Sequence, residues 1–289
     1  MIINSFCDRY PKITVVTPSF NQGSFLEETI QSVLGQNYPN LEYMIIDGGS
    51  TDSSPSIIDK YKDHLAYAIS EPDQGQHYAI EKGFSRATGD IITWLCSDDL
   101  YEPGALHIVA HSFLSHPDAA LIYGDTQYLY PNGLLRIKKK ISFDYRMALF
   151  AYSMVPQPSS FISREAYLAV GGIDPTFQYT ADYDLFLRLG RNRQVVHIPF
   201  VLSSYRLHAE SKTIKSKILM KQEFKKAREK NLSRKRSLAD KLIGKYYLMK
   251  AVVKFYWERK EIVLSEDGGN LEAGEKRKID IRTILRKFF

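Results

Sequence analysis

Apolar positions in the first hundred residues alternate between two spacings. Lys12–Phe20, K-I-T-V-V-T-P-S-F, is a β-branched run followed by N-Q-G, which predicts a strand and then a turn. From Ser24 to Leu34 the apolar residues Leu26, Ile30, Val33 and Leu34 recur at helical intervals. Ser24 is the expected N-cap, Glu27 completes a capping box and Gly35 is the stop. Glu42–Asp47 is a second strand-like run, ended by G-G-S-T-D-S-S. Strand, helix and strand in such a short span predict a βαβ unit, hence a parallel pair joined by a right-handed crossover.

The alternation continues with a helix at Ser54–Tyr61, a strand at Leu65–Ser70, a helix at Gln76–Ala87 stopped by Gly89, and a strand from Ile91. Pro103 and Gly104 open a further helix. The pattern then changes: Leu121–Tyr130 and Leu134–Ile141 flank P-N-G, a hairpin signal. Phe143–Tyr152 reads as a helix and V-P-Q-P-S-S-F-I-S as extended chain. Ala166–Val170 runs into the sharp turn G-G-I-D-P. Ala181–Leu189 reads as a helix with Tyr183, Phe186 and Leu187 inward, and Val195–Tyr205 as a last strand. The expected class is α/β: a mostly parallel central sheet flanked by helices, with a smaller antiparallel element.

Charge divides the chain further. Residues 1–211 carry 16 Lys+Arg against 23 Asp+Glu, and residues 212–289 carry 23 against 10. The expected organisation is an acidic body, 1–211, and a basic helical extension, 212–289. Cys7 and Cys96 are far apart, so no disulfide framework is expected. The N-terminus lacks a signal-peptide pattern and no apolar run is long enough to span a bilayer, so the expected location is the cytoplasm.

Candidate chemistry sits where the strands stop. In D-I-I-T-W-L-C-S-D-D-L, Asp98 and Asp99 follow the apolar run directly, and two adjacent carboxylates repel unless a cation or donors lie between them. With phosphate oxygens they make a hard oxygen site suited to Mn²⁺ or Mg²⁺; the plainer reading is a solvated Ser-Asp-Asp turn. Asp47 with Asp52, and Asp73, occupy equivalent strand ends, and parallel strands bring such ends to one sheet edge. No G-x-G-x-x-G and no G-x-x-x-x-G-K-[ST] motif occurs, which excludes the usual dinucleotide and P-loop sites.

Five segments occur in a fixed order: T-P-S-F-N, I-I-D-G-G-S-T-D-S-S, A-T-G-D-I-I-T-W-L-C-S-D-D, F-I-S-R-E-A-Y-L-A-V-G-G-I-D and A-D-Y-D-L-F-L-R-L. Together they resemble family 2 inverting glycosyltransferases of the Rossmann-like GT-A fold, over roughly residues 12–210. The resemblance implies a nucleoside-diphosphate sugar donor and a glycan or lipid-linked acceptor. It also implies that Thr17, Pro18, Ser19, Phe20 and Asn21 line the donor pocket, with Phe20 near the base and Asp47 hydrogen-bonded to it. Asp52, Asp73, Gln76 and Asp98 would also face the donor. Asp98, Asp99 and His208 would hold the metal, although His208 reads equally as a surface-loop histidine. Asp182 would be the catalytic base, with Asp184 the runner-up and helix capping a compatible plainer role for Asp182. Arg188 and Arg206 read as structural or diphosphate-facing. Two positions depart from the family pattern: Cys96 stands where an additional Asp is common, and Ala181 replaces the usual Glu.

Two other functions share some of these features. A sugar nucleotidyltransferase or other metal-dependent phosphoryl enzyme could use the same carboxylates, but T-P-S-F-N-Q-G lacks the cationic clamp it needs. A nucleic-acid-binding protein would explain the basic tail, yet the tail has no zinc or RNA-binding signature, so no nucleic acid is expected. Within the tail, Lys241–Lys260 spaces Leu242, Ile243, Tyr246, Met249, Val252, Val253 and Tyr256 near helical intervals, with lysines interleaved and Trp257 near the end. The pattern suits a helix packed on the body or one lying on an anionic membrane, which would place the enzyme peripherally on the inner face of the cytoplasmic membrane.

Overall fold

Strand β1 (Ile13–Ser19) lies inside the sheet because all seven of its side chains are buried, as expected of a strand covered on both faces. The computed structural model describes residues 10–208 and 216–266. Parallel to β1 run β2 (Leu41–Asp47) on one side and β4 (Ile91–Trp94) on the other, and β3 (Tyr67–Ser70) pairs in parallel with β2. In this register Ser19 stands opposite Asp47, and Asp47 opposite Ser70. The carboxyl ends of these strands therefore share one edge, as the alternating pattern predicts.

The second half of the sheet is mixed. β8 (Ser160–Ser163) is antiparallel to both β4 and β6 (Ala119–Leu129), while β6 runs parallel to β9 (Gln194–Arg206). The two-residue β5 (Leu100–Tyr101) closes the far edge antiparallel to β9, giving the order β3-β2-β1-β4-β8-β6-β9-β5. The predicted hairpin forms as β6 and β7 (Leu135–Lys138), antiparallel. β5 has no signal in the sequence, since two residues cannot show a periodicity.

Helices cover both faces. α1 (Gly23–Leu34) buries Leu26, Ile30 and Val33 in the same core as Ile13, Val15 and Ile45. α2 (Ser54–Lys60), α3 (Gln76–Phe84), α4 (Ala105–Ser115), α5 (Tyr145–Phe150), α6 (Arg164–Ala169) and α7 (Ala181–Gly190) follow in turn. The expected capping box of α1 does not form. The helix starts at Gly23 without a side-chain cap, because the Gly23 N–H donates to Asp52 Oδ2 at 2.8 Å, a longer-range acceptor that replaces the local hydroxyl. A Cβ at Gly23 would lie 2.1 Å from Ser53 Oγ, so any larger residue there would have to displace that hydroxyl.

The basic extension begins as α8 (Lys217–Leu232) and continues as α9 (Leu238–Glu266). α8 is tied to α7: Asn231 Nδ2 and Lys230 Nζ both reach Asp184, and Arg228 Nε donates to Tyr183 Oη at 3.0 Å. The chain divides into compact units at Met1–Met249 and Lys250–Phe289. Cys7 and the side chains of Tyr256 and Trp257 lie outside the described residues; Cys96 is a free thiol. Among the described residues no helix is long and apolar enough to cross a membrane.

Candidate active site

Loops at the carboxyl ends of β1, β2, β3 and β4 build the site. Thr17 and Pro18 are buried strand residues, Thr17 holding Tyr43 Oη at 3.0 Å. Ser19 is also buried, and its hydroxyl has no partner. Phe20 is 60% exposed at the same edge. Asn21 adopts φ +51° so that its amide oxygen can accept from Thr51 N–H while its own N–H reaches Ser50 Oγ, locking the β1 and β2 loops together.

The acidic residues of the second loop hold the loop itself. Asp47 is fully buried and accepts from Ser50 N–H, Ser50 Oγ and Ser70 Oγ at 2.6–2.8 Å, so it fastens β2 to β3 and shapes the G-G-S-T-D turn. Asp52 accepts from Gly23 N–H and Ser54 N–H; burial opposes its charge, but the bonds from Ser54 and Gly23 outweigh it and hold the carboxyl below its ordinary value. Asp73 caps its own loop through Gly75 N–H at 2.7 Å, and a Cβ on Gly48 would lie 3.1 Å from its carboxylate, so the loops after β2 and β3 meet there. Gln76 Nε2 donates to Cys96 Sγ at 3.0 Å, bringing the start of α3 to the end of β4.

At that end Cys96, Asp98 and Asp99 present ligand atoms within 4.8 Å of one another. Asp98 Oδ2 pairs with His208 Nε2 at 2.8 Å, so the histidine is drawn into the cluster and does not stand on a free surface loop. Asp99 is buried: Oδ1 accepts from Arg206 N–H at 3.0 Å, and Oδ2 has no hydrogen-bond partner among the described residues. Burial, reinforced by the charge of Asp98, pushes the Asp99 carboxyl well above the ordinary carboxylate range. An orphaned buried carboxylate oxygen beside a second carboxylate fits a divalent cation, and the two carboxylates are the hard donors that Mn²⁺ or Mg²⁺ would take. Arg206 braces the pair through Asp98 O and Glu28, a role sequence reasoning left between structure and diphosphate.

Asp182 lies in the first turn of α7. Burial pushes its carboxyl up to about 6, the backbone N–H groups of Tyr183 and Asp182 pull the other way, and the charge of Glu223 adds to the rise. Asp184 differs sharply: it is fully buried and ion-paired with Arg188 and Lys230, with Asn231 as a further donor. A carboxylate so neutralised has no capacity left for a substrate proton, and Arg188, which also holds Val170 O, is structural. The loop before Asp182 joins the rest of the site through His77 Nε2, 3.0 Å from Gln178 O, adjacent in α3 to the Gln76 that meets Cys96.

Sequence reasoning missed Gln157, whose Nε2 donates to Trp94 O at 2.7 Å and whose Oε1 receives Cys96 Sγ; it sits in a turn between two prolines that carries no chemical signature. It also missed Glu223, which lies outside the body drawn from charge alone.

The chain also has recognisable relatives. Residues 14–168 match the model of the family described as Glycosyl transferase family 2. An uncharacterized glycosyltransferase of Mycobacterium tuberculosis is 30% identical over 68% of this chain and 75% of its own length. Two solved structures share the fold: residues 1–349 of S. aureus TarS in complex with UDP (TM-score 0.63, 15% identity, 83% of this chain and 71% of that one), and the mannosyltransferase PcManGT of Pyrobaculum calidifontis in complex with GDP-Man and Mn²⁺ (TM-score 0.62, 18% identity, 96% and 79%). The fold is that of GT-A glycosyltransferases, and the chain belongs to glycosyl transferase family 2.

Proposed function

We propose that this glycosyltransferase moves a sugar from a nucleoside-diphosphate sugar to an acceptor hydroxyl with inversion at the anomeric carbon. Asp98, Asp99 and His208 would hold Mn²⁺ or Mg²⁺, which when bound neutralises charge on the leaving diphosphate. Ser19, Phe20 and Asn21 line the nucleotide pocket, and Asp47 presents its remaining lone pairs to the base, with Asp52 and Asp73 fixing the loops around it. Asp182 takes the acceptor's proton, and a carboxyl raised to about 6 is better matched to that task than an ordinary one. The observation that carries the reading is Asp99 Oδ2, a buried carboxyl oxygen at the strand end with no hydrogen-bond partner among the described residues.

The test is a panel of UDP, GDP and dTDP sugars with Mn²⁺, with Mg²⁺ and with chelator, read by thermal shift and slow donor hydrolysis. One donor class should raise Tm only with metal; at about a hundredfold excess over Kd the gain is about 2.7 kcal/mol, a shift of a few degrees. No response to any donor, or pyrophosphate release from a nucleoside triphosphate and a sugar phosphate, would favour the nucleotidyltransferase reading instead. The described site offers no Lys clamp for a triphosphate, and Arg206 is already engaged by Glu28 and Asp98 O.

The acceptor we place at an anionic lipid surface, on the inner face of the cytoplasmic membrane, as a lipid-linked glycan of cell-surface polysaccharide or glycolipid synthesis. In α9 the buried Asp240, Gly244 and Tyr247 fall on one side of the helix. On the opposite side Leu238, Leu242, Tyr246 and Met249 form a stripe, with Leu242 62% and Tyr246 57% exposed. Lys241 and Lys245 border it, and Val253 continues the same spacing. A helix held by one face and apolar on the other, with lysines along the edge, matches an interfacial helix, and each basic residue near an anionic surface contributes about 1 kcal/mol. The full-length protein should co-sediment with phosphatidylglycerol vesicles, not with phosphatidylcholine, and high salt should release it. Leu242→Ser with Tyr246→Ser should abolish binding without lowering Tm; retained binding, or a change in oligomeric state instead, places the stripe elsewhere.

A further inference from the structure

Helix α7 begins without a cap of its own. Its N-cap, Thr180, makes no side-chain capping bond, and Asp182 stands further inside the first turn. The missing acceptor comes from α8. Glu223 Oε1 accepts from Gln178 N–H at 2.9 Å, and Oε2 accepts from Tyr179 N–H at 2.7 Å, Thr180 N–H at 3.1 Å and Thr180 Oγ1 at 3.3 Å. Three consecutive backbone N–H groups thus converge on one carboxylate, at the end of a helix where negative charge is favoured and each bond is charge-assisted.

The same helix holds α7 on the other side of Asp182. Phe224 packs edge-on against Tyr183, Arg228 donates to the Tyr183 hydroxyl, and Lys230 and Asn231 bind Asp184. The residues before Asp182 and those after it are therefore both fastened to α8, with Asp182 between them. From this arrangement we propose that Glu223 is a positioning residue for glycosyl transfer, fixing the 178–180 loop and with it the place and charge environment of Asp182. The proposal rests on Asp182 being the base. The charged group that acts on that carboxyl is Glu223 from α8; Asp184 is paired with Arg188 and Lys230, and His77 from α3 meets the preceding loop at Gln178 O. Of these, Glu223 acts on Asp182 directly: its charge disfavours the ionised base, and its bonds hold the base still.

The experiment uses the full-length protein and two measurements. The Asp182 carboxyl is titrated by ¹³Cγ NMR, its signal identified by its loss in Asp182→Asn. Hydrolysis of UDP-N-acetylglucosamine and GDP-mannose by water is followed alongside. In Glu223→Gln the shape is kept and the charge removed, so the Asp182 midpoint should move to lower pH. One N–H also loses its acceptor, and kcat for hydrolysis should fall about tenfold at unchanged donor KM, because small misplacements of a catalytic group carry costs of that order and more. Glu223→Asp, which restores the charge on a shorter arm, should return the midpoint but not all of kcat. Should Glu223→Gln leave both the midpoint and kcat unchanged with the fold intact by circular dichroism, the positioning role is overturned. Failure of the base assignment would appear in a different variant, as undiminished hydrolysis in Asp182→Asn.

Discussion

Asp182→Asn is expected to lower the rate of transfer by about 10²–10⁴-fold while leaving donor affinity within a factor of two, since a positioned base acts on the acceptor's proton and does not hold the diphosphate. The same substitution should stabilise the protein at neutral pH. In the fold the Asp182 carboxyl is pushed up to about 6, so it binds its proton more tightly than in the unfolded chain. Above pH 6 the ionised form therefore costs the fold on the order of 1–2 kcal/mol, given about 1.4 kcal/mol per unit and a carboxylate only half-buried. The Asn variant has no such cost, and its advantage in Tm at pH 7.5 should shrink as pH falls from 6 towards 4. For the parent enzyme the rate should decline below pH 6, as the base takes up its proton. Equal loss of donor binding, or a pH profile flat from 5 to 8, would remove Asp182 from the role and return attention to α7 as a scaffold.

The parts of this molecule that were legible in sequence are those written in periodicity. The strands β1, β2 and β4 are continuous apolar runs, and their order with α1–α3 specifies the parallel half of the sheet and its shared edge. The clustering of Asp98, Asp99 and His208 follows from that edge together with the return of β9. What the sequence concealed are contacts made at long range by residues without a local pattern. Asp52 replaces the expected Ser24 cap of α1, and Glu223 replaces a local cap of α7, each from an element distant in sequence. Some of the basic residues after 211 are used internally, Lys230 on Asp174 and Asp184, Arg234 on Asp240, Arg236 on Phe150 O, and so are not free for a polyanionic partner. Asp47 shows the opposite case, a motif residue whose visible bonds all go to its own chain, to Ser50 and Ser70.

Asp99→Asn should have the largest effect on the metal. Removing a group that merely orients a ligand typically costs 10–100-fold in metal affinity, so loss of a ligand is expected to cost about a hundredfold or more. Asp98→Ala should follow closely, since it removes both a carboxylate and the partner of His208. In the absence of metal, Asp99→Asn should raise Tm, because the native site keeps a buried oxygen unpaired next to a like charge. Addition of Mn²⁺ should then reverse the ranking: the parent is stabilised and the variant is not. The raised carboxyl of Asp99 also sets the direction of the pH effect. Proton and cation compete for it, so Mn²⁺ affinity in the parent should weaken on acidification at a higher pH than an ordinary carboxylate would dictate, and Asp99→Asn should flatten that dependence. Isothermal titration of Mn²⁺ across pH 5–8, with and without the stabilising donor, measures all of this. A variant that keeps the parent's Mn²⁺ affinity and donor response would move the cation away from the end of β4, and with it the diphosphate.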